Sequence, residues 1–169
     1  MPNQKVLVVG TDLPIDEKEI MLGQVVQIVS NTVASVSGTT QVPFDNTTPL
    51  ITEGFQILSL DITPKASDSR IYIFFNLNID HSANNRTVTA TVWAGTSLIY
   101  THSVNLATAG RPISLPIHTW FDSTDTTLKN IQVRVGANGN GTTYVGASPT
   151  ANLGGNRFSD YSVMEVLNV

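Results

Sequence analysis

Three histidines and thirteen acids are the side chains in this 169-residue sequence suited to proton transfer or metal binding, and there is no cysteine. His81, His102 and His118 stand apart, without the His-x-His or His-x-x-x-His spacing that brings two imidazoles onto one ion. Each reads as a polar residue of a loop or edge strand. Glycoside cleavage needs two carboxyl groups roughly 5–10 Å apart. No motif pairs Asp45, Glu53, Asp61, Asp68, Asp80, Asp122, Asp125, Asp160 or Glu165 in that way. Asp122 and Asp125 fall short of the six or so oxygens that calcium takes. Gly136-Ala-Asn-Gly-Asn-Gly141 has a phosphate loop's composition, but the β-like Thr142-Thr-Tyr-Val145 follows it where a helix N-terminus is required. It reads as a flexible turn. Gly-x-Ser-x-Gly, Walker and dinucleotide signatures are absent. The chain is therefore expected to be no enzyme, to hold no metal and to use no cofactor.

Binding chemistry is the alternative. Trp93, Tyr100, Trp120 and Phe121 lie in or beside candidate strands and read first as core or subunit-interface filler. Trp93 or Tyr100 at a sandwich edge is the candidate for stacking on a sugar. Asn138 and Asn140 are candidate ligand-facing residues in a Gly-rich loop, with 81–86 and 146–156 as companion loops. The net charge of −4, with a pI near 5.1 and no cluster of Lys or Arg, speaks against nucleic acid. Val6–Val9 is too short a run for a signal-peptide core or a bilayer span. Soluble synthesis in the host cytoplasm, without membrane insertion, is the expectation. The Asn-x-Thr triplets at Asn46, Asn85 and Asn140 are ordinary for so Asn- and Thr-rich a chain.

The elements that must position these groups are strands. Only 13% of residues are charged, and Thr, Ser and Asn take their place, which suits strands with polar, uncharged outer faces. Ile71, Ile73, Phe75, Leu77 and Ile79 alternate with a period of two. On the other face Tyr72 and Phe74 give way to Asn76 and Asn78, so burial there ends halfway along. Further strands are read at 24–30, 55–63, 87–94, 98–104, 113–121, 128–135, 142–145 and 158–167. Ala94-Gly-Thr96 is a tight hairpin and Asp122-Ser-Thr-Asp125 another turn. Eight or so strands without a long helix mean a sandwich or barrel, and a jelly roll is the preferred form. Residues 1–40 differ in texture. They hold a possible two-turn helix at 13–22 and read as an N-terminal arm or stem, with 41–169 as the β-sandwich domain.

Two segments carry a resemblance. Gln24-Val-Val-Gln-Ile-Val-Ser30 followed by Ile57-Leu-Ser-Leu-Asp-Ile-Thr-Pro-Lys-Ala-Ser-Asp-Ser-Arg-Ile-Tyr-Ile73, and the final Phe158-Ser-Asp-Tyr-Ser-Val-Met-Glu-Val166, resemble a pattern of bacteriophage virion proteins. It occurs in head-decoration, tail-fibre and tail-tip proteins, and the match spans about residues 23–167. The resemblance implies a tumour-necrosis-factor-like (TNF-like) jelly roll that assembles as a homotrimer on the virion surface. Its partner is then a major capsid protein or a tail protein. A decoration or head-fibre role is preferred, because the 169 residues contain no long repetitive shaft and begin with an apolar, acidic arm. The alternative is a short tail-fibre or tail-tip protein recognising a host-surface glycan. The anchoring residues expected in the arm are Val6, Leu7, Val8, Val9, Ile15, Ile20, Met21 and Leu22. Packing onto the protein's own stem is the equal alternative for them.

Overall fold

The strand with the clearest alternation organises the molecule. The structure, a computed structural model, describes residues 23–149 and 159–167. These form ten strands: β1 (Val25–Val33), β2 (Val36–Gly38), β3 (Phe55–Ile62), β4 (Ser69–His81), β5 (Arg86–Ala94), β6 (Ser97–Leu106), β7 (Ile113–Asp122), β8 (Lys129–Ala137), β9 (Thr143–Val145) and β10 (Ser159–Leu167). No helix occurs among the described residues. The possible helix at 13–22 and the eight anchoring residues lie outside them.

The strands make two antiparallel sheets. In one, β1 pairs with β10, β10 and β9 share one edge of β4, and β7 takes the other edge of β4. The second runs β3-β8-β5-β6. Setting aside the three-residue β2 and β9, eight long strands remain, and their pairing is nested. The first pairs with the eighth, the second with the seventh, the third with the sixth and the fourth with the fifth. One long antiparallel ribbon wrapped around a common core has this pairing, and it is the jelly roll.

Alternation explains why the sheets face each other. Ile71, Ile73, Phe75, Leu77 and Ile79 of β4, with Leu115 and Ile117 of β7, lie buried against Val88, Ala90 and Val92 of β5 and Ile131, Val133 and Val135 of β8. Each such side chain contributes roughly 1.5–3 kcal/mol on burial. Gly95 and Thr96 make the two-residue hairpin, with Gly95 at φ 59°, where only glycine is unstrained. Gly136 answers a different need. A Cβ there would lie 2.6 Å from Thr40 O and 2.8 Å from Val42 N, so the chain entering β3 can cross β8 only over a glycine.

The sequence division at residue 40 is not the edge of the sandwich. β1 and β2 are strands of the first sheet, hydrogen-bonded to β10 and β9. β1 is an edge strand and buries one side only, Val29 packing on the core, which is why its run looked weaker than β4.

The sandwich has two distinct ends. Gly23 donates its N–H to Leu167 O at 3.0 Å, so residues 1–22 join the domain beside the 63–68, 95–96 and 123–128 turns. The 82–85, 107–112 and 138–142 turns lie at the other end, about 40 Å away along the thirteen residues of β4.

Candidate functional site

Register decides what each sheet shows to its surroundings, because directly opposed residues share a face. Three rows run across β1, β10, β4 and β7. They are Val25·Val166·Arg70·Asp122, Ile28·Met164·Tyr72·Trp120, and Ser30·Ser162·Phe74·His118. This is the outer face of the first sheet, and its centre is apolar and aromatic. Ile28 is 62% exposed, Trp120 48% and Val25 41%. The rings are ordered among themselves. Tyr72 stacks on Phe74 with centroids 5.9 Å apart, Phe74 meets His118 edge-on at 5.6 Å, and the Arg70 guanidinium lies 3.7 Å above Trp120. Arg70 is held there by Asp122, with Nε donating to Oδ1 at 2.7 Å.

The second sheet's outer face is polar. Asp61 and Asn130, Ser59 and Gln132, Thr91 and Arg134, and Thr89 and Ser103 are opposed pairs on it. Asn130 Nδ2 donates to Ser59 Oγ at 2.9 Å and Gln132 Nε2 to Asn130 Oδ1 at 2.8 Å, a self-satisfied polar surface. Thr89 and Thr91 on this face are themselves buried, so the two outer faces differ in kind, one polar and hydrogen-bonded within itself and the other apolar.

Trp93 and Tyr100 follow their first reading as filler and not the alternative of sugar stacking. Trp93 is 4% exposed, and its Nε1–H donates to Thr91 Oγ1 at 2.8 Å. It shares the polar-side parity of Thr89 and Thr91, but the indole lies along its own strand and offers no ring face to a ligand. Tyr100 is half-buried and packs against the core beside a bulge between Val92 and Trp93 in the β5–β6 register. Asn138 and Asn140 are exposed at the end away from Gly23, each with its Oδ1 already accepting a hydrogen bond.

The acids are individually accounted for. Lys129 Nζ lies 2.8 and 2.9 Å from the two oxygens of Asp125, so the candidate calcium residues Asp122 and Asp125 each hold a cation of the chain instead. That Lys129 contact, followed by the Thr127 hydroxyl and N–H, holds the Asp125 carboxyl at about 2. No group of three or more His, Asp or Glu converges on a point among the described residues. Glu165 is fully buried. Its carboxylate accepts the N–H of Lys65 at 2.8 Å, the N–H of Ala66 at 3.1 Å and the Gln27 amide at 2.6 Å. The two motifs that carry the family resemblance therefore meet physically, the Glu of the last strand clasping the Thr-Pro-Lys-Ala turn.

His81 is a correction. Read as a surface polar residue, it is 0% exposed, because it follows Ile79 on the inward parity of β4. Its Nδ1 lies 3.0 Å from Ala83 N and 3.3 Å from Ala83 O; it accepts the N–H in the neutral Nε2–H ring and donates to the carbonyl when protonated. Burial, then the nearby Arg86 charge, lowers its pKa against the raising effects of the Ala83 hydrogen bond and Asp80. A base whose folded pKa lies below its unfolded value takes up more protons when unfolded. Stability is therefore full above about pH 6.5, falls below it, and levels off beneath the folded pKa. Urea titrations across pH 4–8 should show this loss, and His81→Gln should flatten it; an unchanged slope in the variant would contradict the assignment.

No family model matches this chain and no curated protein matches it. Solved structures do align with it. The VP2 subviral particle of infectious bursal disease virus gives 15% identity and a TM-score of 0.44, covering 94% of this chain and 42% of that one. The sugar-binding C-terminal domain of EclA gives 12% identity and 0.35, covering 96% of each chain. A Bacillus endospore appendage pilus protein gives 15% and 0.33, covering 94% of this chain and all of that one. The chain spans less than half the length of the VP2 chains it matches. The class of protein rests on the pairing of its own strands: an antiparallel jelly-roll sandwich with one apolar and one polar outer face. No helix among the described residues is long and apolar enough to cross a membrane.

Proposed function

We propose that this chain is a structural protein of a bacteriophage virion, a capsid decoration protein whose TNF-like jelly rolls associate as a homotrimeric surface knob. It acts by binding and not by catalysis. The observation that carries this reading is the apolar outer face of the β1-β10-β4-β7 sheet, set against the polar outer face of the other sheet. A contiguous apolar patch of exposed Ile28 and Trp120 with half-buried Met164, Tyr72 and Phe74 between them is what a subunit interface looks like in an isolated protomer. The family resemblance supplies the number three.

Residues 1–22 join at one end of the sandwich, so a trimer anchored through them on a capsid protein directs the opposite end outward. Three arms acting together make a durable attachment from individually weak contacts. The polar, Asn-rich outward end supports a second reading, a short tail-fibre or tail-tip protein that meets a host glycan there.

Cryo-electron microscopy of purified virions separates the two. Threefold knobs of about 55 kDa, three 18.2 kDa chains, repeated over the shell are the expected result. Knobs confined to the tail would replace decoration by the second reading, and virions without such density would contradict both. Deleting residues 1–22 should release intact trimers from the particle. Trimers that fall apart instead would make the segment a stem.

A further inference from the structure

Arg86, at the start of β5, is the unusual cation of the chain. Arg70 and Lys129 hold carboxylates, and Arg134 donates to Glu53 O and Gly54 O. Arg86 has no ion-pair partner among the described residues, and its buried Nε–H has no acceptor. Beside it the fully buried His81 likewise leaves Nε2–H without one. Both donors lie beneath the same short stretch of the β8–β9 loop. A Cβ on Gly139 would sit 3.2 Å from the guanidinium, and one on Gly141 3.0 Å from His81 Nε2. Asp80 Oδ2 is the remaining buried atom without a partner; it is an acceptor on the opposite parity of β4, and Asp80 Oδ1 takes the Gly110 N–H.

At the same end as Arg86 stand three exposed asparagines, all oriented by their hydrogen bonds. Asn84 Oδ1 accepts Ala109 N–H at 2.7 Å, Asn138 Oδ1 accepts Thr87 N–H at 3.1 Å, and Asn140 Oδ1 accepts the Gln41 amide at 2.8 Å. Because each partner is a donor, each carbonyl is spoken for and each NH2 remains for a ligand. Arg111, exposed in the neighbouring 107–112 turn, adds a second cation. Arg86, Arg111 and the three asparagine amides make this end rich in donors.

We infer that the end of the sandwich away from Gly23 binds an acidic sugar. The ligand's carboxylate takes the two Nη groups of Arg86, the part of the guanidinium not buried beneath the loop, a pair of parallel donors that matches two carboxylate oxygens. Its hydroxyl oxygens accept from the amides of Asn84, Asn138 and Asn140. An acceptor-rich anion with flanking hydroxyls is the chemistry that a surface of oriented donors selects. The inference does not rest on where the trimer sits, on its anchor, or on trimerisation itself.

The test is a titration of the full-length ¹⁵N-labelled protein with glucuronate, with glucose, acetate and an Asp-rich peptide as separate controls. Glucuronate is expected to move the Arg86 Nε–H and the three asparagine NH2 resonances, glucose to leave them in place, and acetate to move Arg86 alone and more weakly. Arg86→Lys keeps the charge but loses the fork, and should weaken glucuronate binding about tenfold; Arg86→Gln should abolish it. Unmoved resonances with glucuronate, equal shifts with glucose, or undiminished binding by the Lys variant would overturn the inference. Acetate as tight as glucuronate would mean an adventitious anion only, and tighter binding of the peptide would make the ligand a protein; either also overturns it.

Discussion

A variant carrying Ile28→Glu and Trp120→Glu is expected to run as an 18.2 kDa monomer at concentrations where the parent protein forms the proposed trimer. Both side chains are exposed in the single chain, so the replacements leave the core between the sheets intact. Their cost in the protomer is small, on the order of 0.5 kcal/mol each. In the proposed assembly they place like charges on the central row, Ile28·Met164·Tyr72·Trp120, at its two ends, three strands apart. A trimer buries that row three times, and each unpaired carboxylate withdrawn from water costs several kcal/mol. Trp120→Glu also removes the ring beneath Arg70. Sedimentation velocity and circular dichroism read mass and fold separately. A folded variant with the parent's mass would show that this face is not the contact.

Removing the carboxylate of Glu165 carries the largest expected loss of stability. Glu165→Ala strands the N–H groups of Lys65 and Ala66 and the amide of Gln27 at the seam between β10, β1 and the β3–β4 turn. Charge-assisted hydrogen bonds contribute more than neutral ones, and orphaned donors at a buried site cost more again. The expected destabilisation is about 3 kcal/mol, which lowers Tm by roughly 10 °C in a domain of this size. Glu165→Gln keeps one acceptor oxygen and turns an NH2 toward the donors, so it should lose about half as much. Unfolding of both variants at one fixed protein concentration keeps mass action out of the comparison. A change below about 0.5 kcal/mol in the Ala variant would contradict the role given to the clasp.

Most of this architecture was legible in the residues, and the reason is alternation. β4 announces itself because Ile71 to Ile79 are apolar at every second position, and the hairpin at Gly95 because only glycine suits that turn. The apolar face was only half legible. Tyr72 and Phe74 on the second side of β4 hinted at burial against something, but the face is assembled from residues as far apart as Val25 and Val166, and only the register aligns Ile28 with Trp120. His81 was misjudged. It sits at a strand end, where composition says surface, yet the inward parity that it shares with Ile79 decides its burial. Trp93 is buried, in keeping with its first reading as filler, but by another route. Its parity is outward, and the bond from its indole to Thr91, invisible in sequence, folds it flat. The oriented asparagines were visible as Asn-Gly turns, but the direction of each amide depends on partners as distant as Gln41 is from Asn140.

The most direct measurement is the mass of the purified full-length protein in solution by light scattering coupled to size exclusion. With the β1-β10-β4-β7 face covered by neighbouring copies, the mass is expected to be about 55 kDa and to hold on dilution. A stable 18.2 kDa species at all concentrations would contradict the trimeric knob and leave the apolar face to some other partner.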